Sequence, residues 1–178
     1  TLQVFPSKQS TTATASCLGS RFRELSFPVN NEQRSGQGEV SPWSEPAHWS
    51  MGMLKTADWR GKWIGMWLPH TDDYRQPGYL RKSFDLSKPV KRAMVYSTAL
   101  GLYELYLGGT KVGDHEFAPG WTDYNVRVQY QTFDVTDRLV PGTNVFGAIL
   151  GSGWYMGKLA MVGKRKYGYC PYLLVQMK

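Results

Sequence analysis

Residues 92–112 read RAMVYSTALGLYELYLGGTKV, and this stretch decides the fold. From Arg92 to Thr98 the side chains alternate: Ala93, Val95 and Ser97 fall on one face, Met94, Tyr96 and Thr98 on the other. That period of two predicts a strand in a sheet buried on one side. Leu102 to Leu107 repeats the period, and Gly108-Gly109 separates it from Thr110-Lys111-Val112. A Gly-Gly pair between two β-type runs supplies the positive φ angles of a tight primed turn, so a hairpin is expected here.

Working outward, Tyr79 to Leu86 reads as a strand. Val126 to Val135 reads as a longer one, with Val126, Val128 and Tyr130 on one face while Phe133 and Val135 fall out of phase, which predicts a bulge or bend near Gln131. Thr136 to Leu139 predicts one capped helical turn, stopped by Pro141-Gly142. Asn144 to Leu150 and Tyr172 to Met177 complete the set, the last apolar on both faces and so expected to be central. Five to seven short strands and no amphipathic helix of three turns argue an all-β fold, an antiparallel β-sandwich or jelly roll. A doubly wound α/β fold lacks the helices it needs. Gly151 to Pro171, rich in glycine and aromatics, reads as an unusually elaborate loop on that sandwich.

The 178 residues, 42% hydrophobic and 20% charged, suit one main core and exclude wholesale disorder. No 18-residue apolar run predicts a spanning helix, so no membrane partner is expected. Two cysteines, Cys17 and Cys170, form neither a disulfide framework nor a metal-ligand spacing. Residues 1–42 hold no Trp or Tyr and only three of the seven Phe, with a Ser/Thr-rich run over residues 10–16. They read as a poorly ordered leader or the remnant of a preceding domain, in which Phe22, Leu25, Phe27 and Val29 make at most one strand. Residues 43–178, with all 18 Trp and Tyr, read as the sandwich domain. A first residue Thr1 and no visible signal peptide suggest a mature protein or a fragment. The net charge of +7 invites nucleic acid, but the one dense basic run is Lys164-Arg165-Lys166, shorter than a phosphate-tracking stripe, and no nucleic-acid partner is expected.

Catalytic motifs are absent: no His-Glu-x-x-His, no Gly-x-Ser-x-Gly and no phosphate-cradling loop. His48, His70 and His115 stand singly among loops and read as solvated side chains. Asp114, Glu116 and Asp123 flank Trp121, and two carboxylates across a sugar ring are what glycoside hydrolysis requires. The simpler reading has them capping turns and pairing with Lys111 or Arg127. Binding is better supported. Gly120-Trp121-Thr122-Asp123-Tyr124 and Gly153-Trp154-Tyr155 set amphipathic aromatics beside glycines in loops. A pyranose offers an apolar C–H face for such rings and hydroxyls for acceptors and donors, so Trp121, Asp123, Tyr124, Arg127, Trp154 and Tyr155 are the candidate substrate-binding residues. For Trp121 and Trp154 the alternative of a core plug stands beside the sugar-stacking reading.

Seven separated motifs carry a family resemblance. They are Trp59-Arg-Gly-Lys-Trp63-Ile64-Gly65, Leu80-Arg81-Lys82-Ser-Phe84, Ala99-Leu-Gly-Leu-Tyr-Glu-Leu105, Pro119-Gly-Trp-Thr-Asp-Tyr124, Tyr130-Gln-Thr-Phe-Asp-Val-Thr136, Gly151-Ser-Gly-Trp-Tyr155 and Tyr167-Gly168. In this order they resemble the amino-terminal β-sandwich region of bacterial α-L-rhamnosidases, glycoside hydrolase family seventy-eight, over about residues 41–178. Ser41-Pro-Trp-Ser-Glu-Pro46 is similar to the end of the fibronectin-like domain that often precedes that region. The resemblance implies a galactose-binding-like sandwich, here without its last strands. It also implies a separate (α/α)₆ catalytic barrel further along the polypeptide, inverting by a carboxylate acid and base, as the partner of this domain. No catalytic residue carries over, and the chain alone is expected to be inactive. The implied role is accessory recognition of rhamnose-bearing glycans or glycosides, in a bacterial periplasmic or secreted setting; a spacer that binds no sugar and a stand-alone lectin are the alternatives. Two positions depart from the family pattern: Gly108-Gly109 stands where Asn-Gly is usual, and Ser152 where Asp or Asn is. Some relatives bind rhamnose through Ca²⁺. Asp123 with Asn125 offers two oxygens where calcium takes six to eight, so no cofactor is expected and calcium is only an alternative.

Overall fold

The computed structural model describes residues 24–27, 47–50, 52–65 and 76–178. The strands in chain order are β1 (Glu24–Phe27), β2 (Ala47–Ser50), β3 (Ile64–Gly65), β4 (Gly78–Leu86), β5 (Met94–Leu100), β6 (Leu102–Leu107), β7 (Thr110–Lys111), β8 (Gln131–Asp134), β9 (Gly142–Gly151), β10 (Lys158–Leu159), β11 (Gly163–Lys164) and β12 (Tyr172–Met177). The helical pieces are 3₁₀ turns at Thr56–Asp58, Thr136–Arg138 and Ala160–Val162 and one α-turn, α1 (Gly153–Met156).

Two compact units divide at Gly52/Met53, whereas composition sets the change at 42/43. In the first, β1 pairs antiparallel with β2, Leu25 opposite Trp49. The leader reading otherwise falls outside the described residues, as do Phe22, Val29, Cys17, Trp43, His70 and the Ser41–Pro46 motif. The second unit contains Met53–Lys178.

That unit is an antiparallel sandwich of two four-stranded sheets, ordered β3-β12-β5-β8 and β4-β9-β6-β7. Its eight strands exceed the expected five to seven because β3 is two residues long, too short to show a period. Gly101 carries the chain from β5 in one sheet to β6 in the other. The inward residues of both sheets meet in one core: Val95, Ala99 and Leu173 from the first, Tyr103, Leu105, Leu107, Ala148 and Leu150 from the second. The Gly108-Gly109 turn forms as expected, with φ of 59° and 84° joining β6 to β7.

β5 corrects the one-sided expectation, since every residue from Met94 to Leu100 is buried. Its second face packs under Met53, Trp59 and Tyr130, with the Trp59 ring edge-on to Tyr96 and Tyr130. Gln176 of β12 holds that cover down. Its Oε1 accepts the N–H groups of Arg60 and Gly61, and its Nε2 donates to Asp58 O at 2.9 Å. The Trp59–Gly65 motif is therefore packing: it covers a sheet face and then supplies β3, which pairs with β12. β12 lies between β3 and β5, the inner position its apolar faces predict.

The long strand expected over Val126–Val135 is a second correction. Only Gln131–Asp134 is strand, and Val126 is 62% exposed while Val128 and Tyr130 are buried. The change of phase does fall at Gln131, where the loop becomes β8.

Candidate functional site

The loop from Phe117 to Arg127 and the segment from Gly151 to Tyr169 meet at one end of the sandwich. Tyr124 joins them. It is 1% exposed, and its ring lies edge-on to Tyr155 (centroids 5.4 Å apart) and to Tyr167 (5.1 Å). Leu100, Tyr124 and Val128 form a small core there, against which Trp63, Trp154, Tyr155 and Tyr167 pack half-buried. Burial pushes the Tyr124 phenol up to about 12. Gly168 fits this arrangement because a Cβ would stand 2.4 Å from the Tyr155 ring.

Buried polar groups hold the loop from beneath. Tyr103 N–H donates to Ala118 O at 2.9 Å, and its hydroxyl shares a 2.6 Å hydrogen bond with Ser97 Oγ and donates to Gln131 Oε1 at 2.8 Å. Gln131 Nε2 completes the path by donating to Pro119 O at 3.3 Å. A turn closed by Gly120 N–H to Phe117 O, with a cis Ala118–Pro119 bond, then leads to Trp121. Beyond it the loop braces itself: Thr122 Oγ1 donates to Arg127 O at 2.6 Å, Asn125 N–H to Asp123 Oδ1 at 3.1 Å, and the Val126 and Arg127 amides to Asp123 O.

The six candidate residues thus separate into two groups. Trp121, 55% exposed, and Asp123 and Arg127, also exposed, stand at the surface of this fixed loop. The core-plug reading of Trp121 is set aside by that exposure. Tyr124 is placed in the opposite sense, with its ring 1% exposed and packed edge-on between Tyr155 and Tyr167. Trp154 and Tyr155 are intermediate, each with one side packed on the small core. The sequence reading missed Phe117. Its φ of 54° lies in the left-handed region, unusual for a bulky residue, and its ring is 67% exposed and edge-on to Trp154 at 6.2 Å.

Asp114 and Glu116 take part in surface ion pairs. Lys111 Nζ binds Glu116 at 2.8 Å and Glu104 at 3.1 Å, and Asp114 lies beside His115 Nδ1 at 3.5 Å. Hydrogen bonds from Tyr106 and Lys111 hold the Glu104 carboxyl below its usual range, the wrong direction for a general acid. Asp123 Oδ1 accepts the Asn125 amide, and among the described residues no group of three His, Cys, Asp or Glu stands close enough to hold a metal ion.

The family model described as alpha-L-rhamnosidase N-terminal domain matches residues 88–178. An alpha-L-rhamnosidase of Streptomyces avermitilis is 44% identical over 141 residues, 76% of this chain and 13% of that protein. In structure the chain is similar to native alpha-L-rhamnosidase from Aspergillus terreus, with a TM-score of 0.73 and 37% identity over 80% of this chain and 17% of that one. It is also similar to Streptomyces avermitilis alpha-L-rhamnosidase complexed with L-rhamnose, with a TM-score of 0.54 and 52% identity over 56% of this chain and 10% of that one. The chain spans about a sixth or less of the length of these relatives.

Proposed function

The chain belongs to the alpha-L-rhamnosidase N-terminal domain family, and from that premise we propose that it serves a glycoside hydrolase as a non-catalytic accessory domain recognising rhamnose-bearing glycans. Hydrolysis of the terminal α-L-rhamnose is assigned to a barrel elsewhere in the polypeptide, against which this sandwich packs.

Trp121 carries the recognition part of the reading. It is a half-exposed indole on a loop fixed by its own hydrogen bonds and by the Tyr103–Gln131 bridge beneath it. A preorganised aromatic costs little entropy to use on binding. The C–H face of a sugar packs on the indole, while the exposed Asp123 carboxylate and Arg127 guanidinium are within the same short loop to accept from and donate to hydroxyls. The spacer reading draws on Tyr124 and Trp154, which pack into the small core.

Titration calorimetry of L-rhamnose and rhamnose-terminated oligosaccharides into wild type and Trp121→Ala tests the proposal. Loss of one stacking ring, worth about 1 kcal/mol, should weaken binding about fivefold while the domain stays folded. Absence of any affinity in the wild type refutes recognition and leaves the spacer reading.

A further inference from the structure

We propose that the β10–β11 hairpin and the segment leading out of it form a binding site for anionic saccharides, those bearing carboxylate or sulfate groups, beside the Trp121–Trp154 end. The inference rests on the reading of that end as a sugar-recognition surface and adds the chemical class of the glycan.

The charge of the chain is segregated. After Asp137 come six basic residues and no acid, whereas the preceding stretch holds fifteen basic and fourteen acidic residues. Almost all of the net +7 therefore belongs to the C-terminal quarter of the sequence. Four of the six cations, Lys158, Lys164, Arg165 and Lys166, lie on this one hairpin and its continuation. Lys158 and Lys164 are directly opposite in the β10–β11 ladder, which sets two ammonium groups on one face of the ribbon. Among the described residues Lys158, Arg165 and Lys166 form no ion pair.

The segment is joined to the aromatic end by its backbone. Arg165 N–H donates to Met156 O at 3.1 Å and Tyr167 N–H to Tyr155 O at 3.3 Å, so the cations follow directly on from α1 and Trp154. Aromatic rings interleave with them: the Arg165 guanidinium lies 5.9 Å from the centre of the exposed Tyr169 ring, and Lys166 Nζ lies 5.6 Å from that of Tyr167. Rings for C–H faces and fixed cations for acid groups are together the requirement of an acidic sugar. Two-residue strands give too short a basic track for a nucleic-acid backbone.

The test uses the whole chain at moderate salt with oligogalacturonate, its carboxyl-reduced neutral derivative, dextran sulfate, plain dextran and short single-stranded DNA. One ammonium at ~6 Å in water is worth about threefold in affinity, so removing two should cost about tenfold. The proposal expects at least one acidic saccharide to bind about tenfold tighter than its neutral counterpart, Lys158→Ser/Lys166→Ser to lose that margin, and Lys158→Arg/Lys166→Arg to keep it. The sulfate and carboxylate arms tell which acid group is preferred. Equal affinity for acidic and neutral forms, no effect of the serine pair, or tighter binding of DNA than of either acidic saccharide overturns it. L-rhamnose is titrated in parallel. Retained rhamnose binding without an acidic preference sinks only this inference, and an acidic preference without rhamnose binding sinks only the rhamnose reading.

Discussion

Replacing Tyr124 by alanine removes a ring that is 1% exposed and that meets Tyr155 and Tyr167 edge-on. A side chain of this size buries about 200 Å², which at ~25 cal/mol per Å² is about 5 kcal/mol, an upper figure because the unfolded chain already hides part of it. Lost edge-to-face contacts act in the same direction, and partial collapse of the site acts against them, so about 4 kcal/mol is the expected cost. Total stability for a domain is about 5–15 kcal/mol, and each kcal/mol moves Tm by about 2–4 °C at this size, giving a fall of about 8–16 °C. Tyr124→Phe should lose far less, because the hydroxyl makes only a 3.5 Å contact with Gly120 O. Thermal melts followed by near-ultraviolet circular dichroism, with urea midpoints alongside, give both numbers. A drop below about 3 °C for Tyr124→Ala would refute the anchoring role and return the residue to the surface set with Trp121.

Two further outcomes follow from the same packing. Gly168→Ala pushes a methyl to 2.4 Å from the Tyr155 ring, so Tm should fall by several degrees, and Tyr155→Ala in the same chain should restore part of the loss; independent effects in that double-mutant cycle would contradict the close approach. Tyr103 and Tyr124 are both raised by burial, so between pH 10, where the unfolded chain ionises, and about 12 stability should fall by about 1.4 kcal/mol per pH unit for each of them and be fully present below pH 10; a flat urea midpoint from pH 9 to 11 would contradict their burial.

Strand existence was legible wherever one face is apolar and the other is not, as in β6, where Tyr103, Leu105 and Leu107 are buried and Leu102, Glu104 and Tyr106 are half-exposed. β5 was legible as a strand but misread in depth. Neither of its faces carries a charge between Met94 and Leu100, which is the mark of a doubly covered strand, and its second cover comes from Met53 and Trp59, more than thirty residues earlier. Val126 was misread because an apolar residue in a turn that merely happens to match a period of two looks the same as the first residue of a strand. Nothing local distinguishes them; the amides of Val126 and Arg127 bonding back to Asp123 O do.

In loops, unlike strands, no periodicity assigns a side chain to core or solvent, which is why Trp121 and Tyr124 were indistinguishable on paper although they lie three residues apart and differ completely in burial. What separates them is long-range: Tyr124 meets Tyr155 and Tyr167, thirty and more residues later, and those contacts exist only because α1 and the segment after β11 fold back beside the loop. The aromatic–glycine composition of both loops marked two segments that the structure brings together at one end of the sandwich, and recognition residues and the plugs that hold them would draw on the same amphipathic side chains. The charge pattern is the complementary signal. An acid-free run of 41 residues is readable without any structure, but only the β10–β11 register and the backbone bonds to Tyr155 and Met156 show that four of its cations lie together beside α1. Composition therefore shows which residue types are available at this end, and register shows which of them stand side by side.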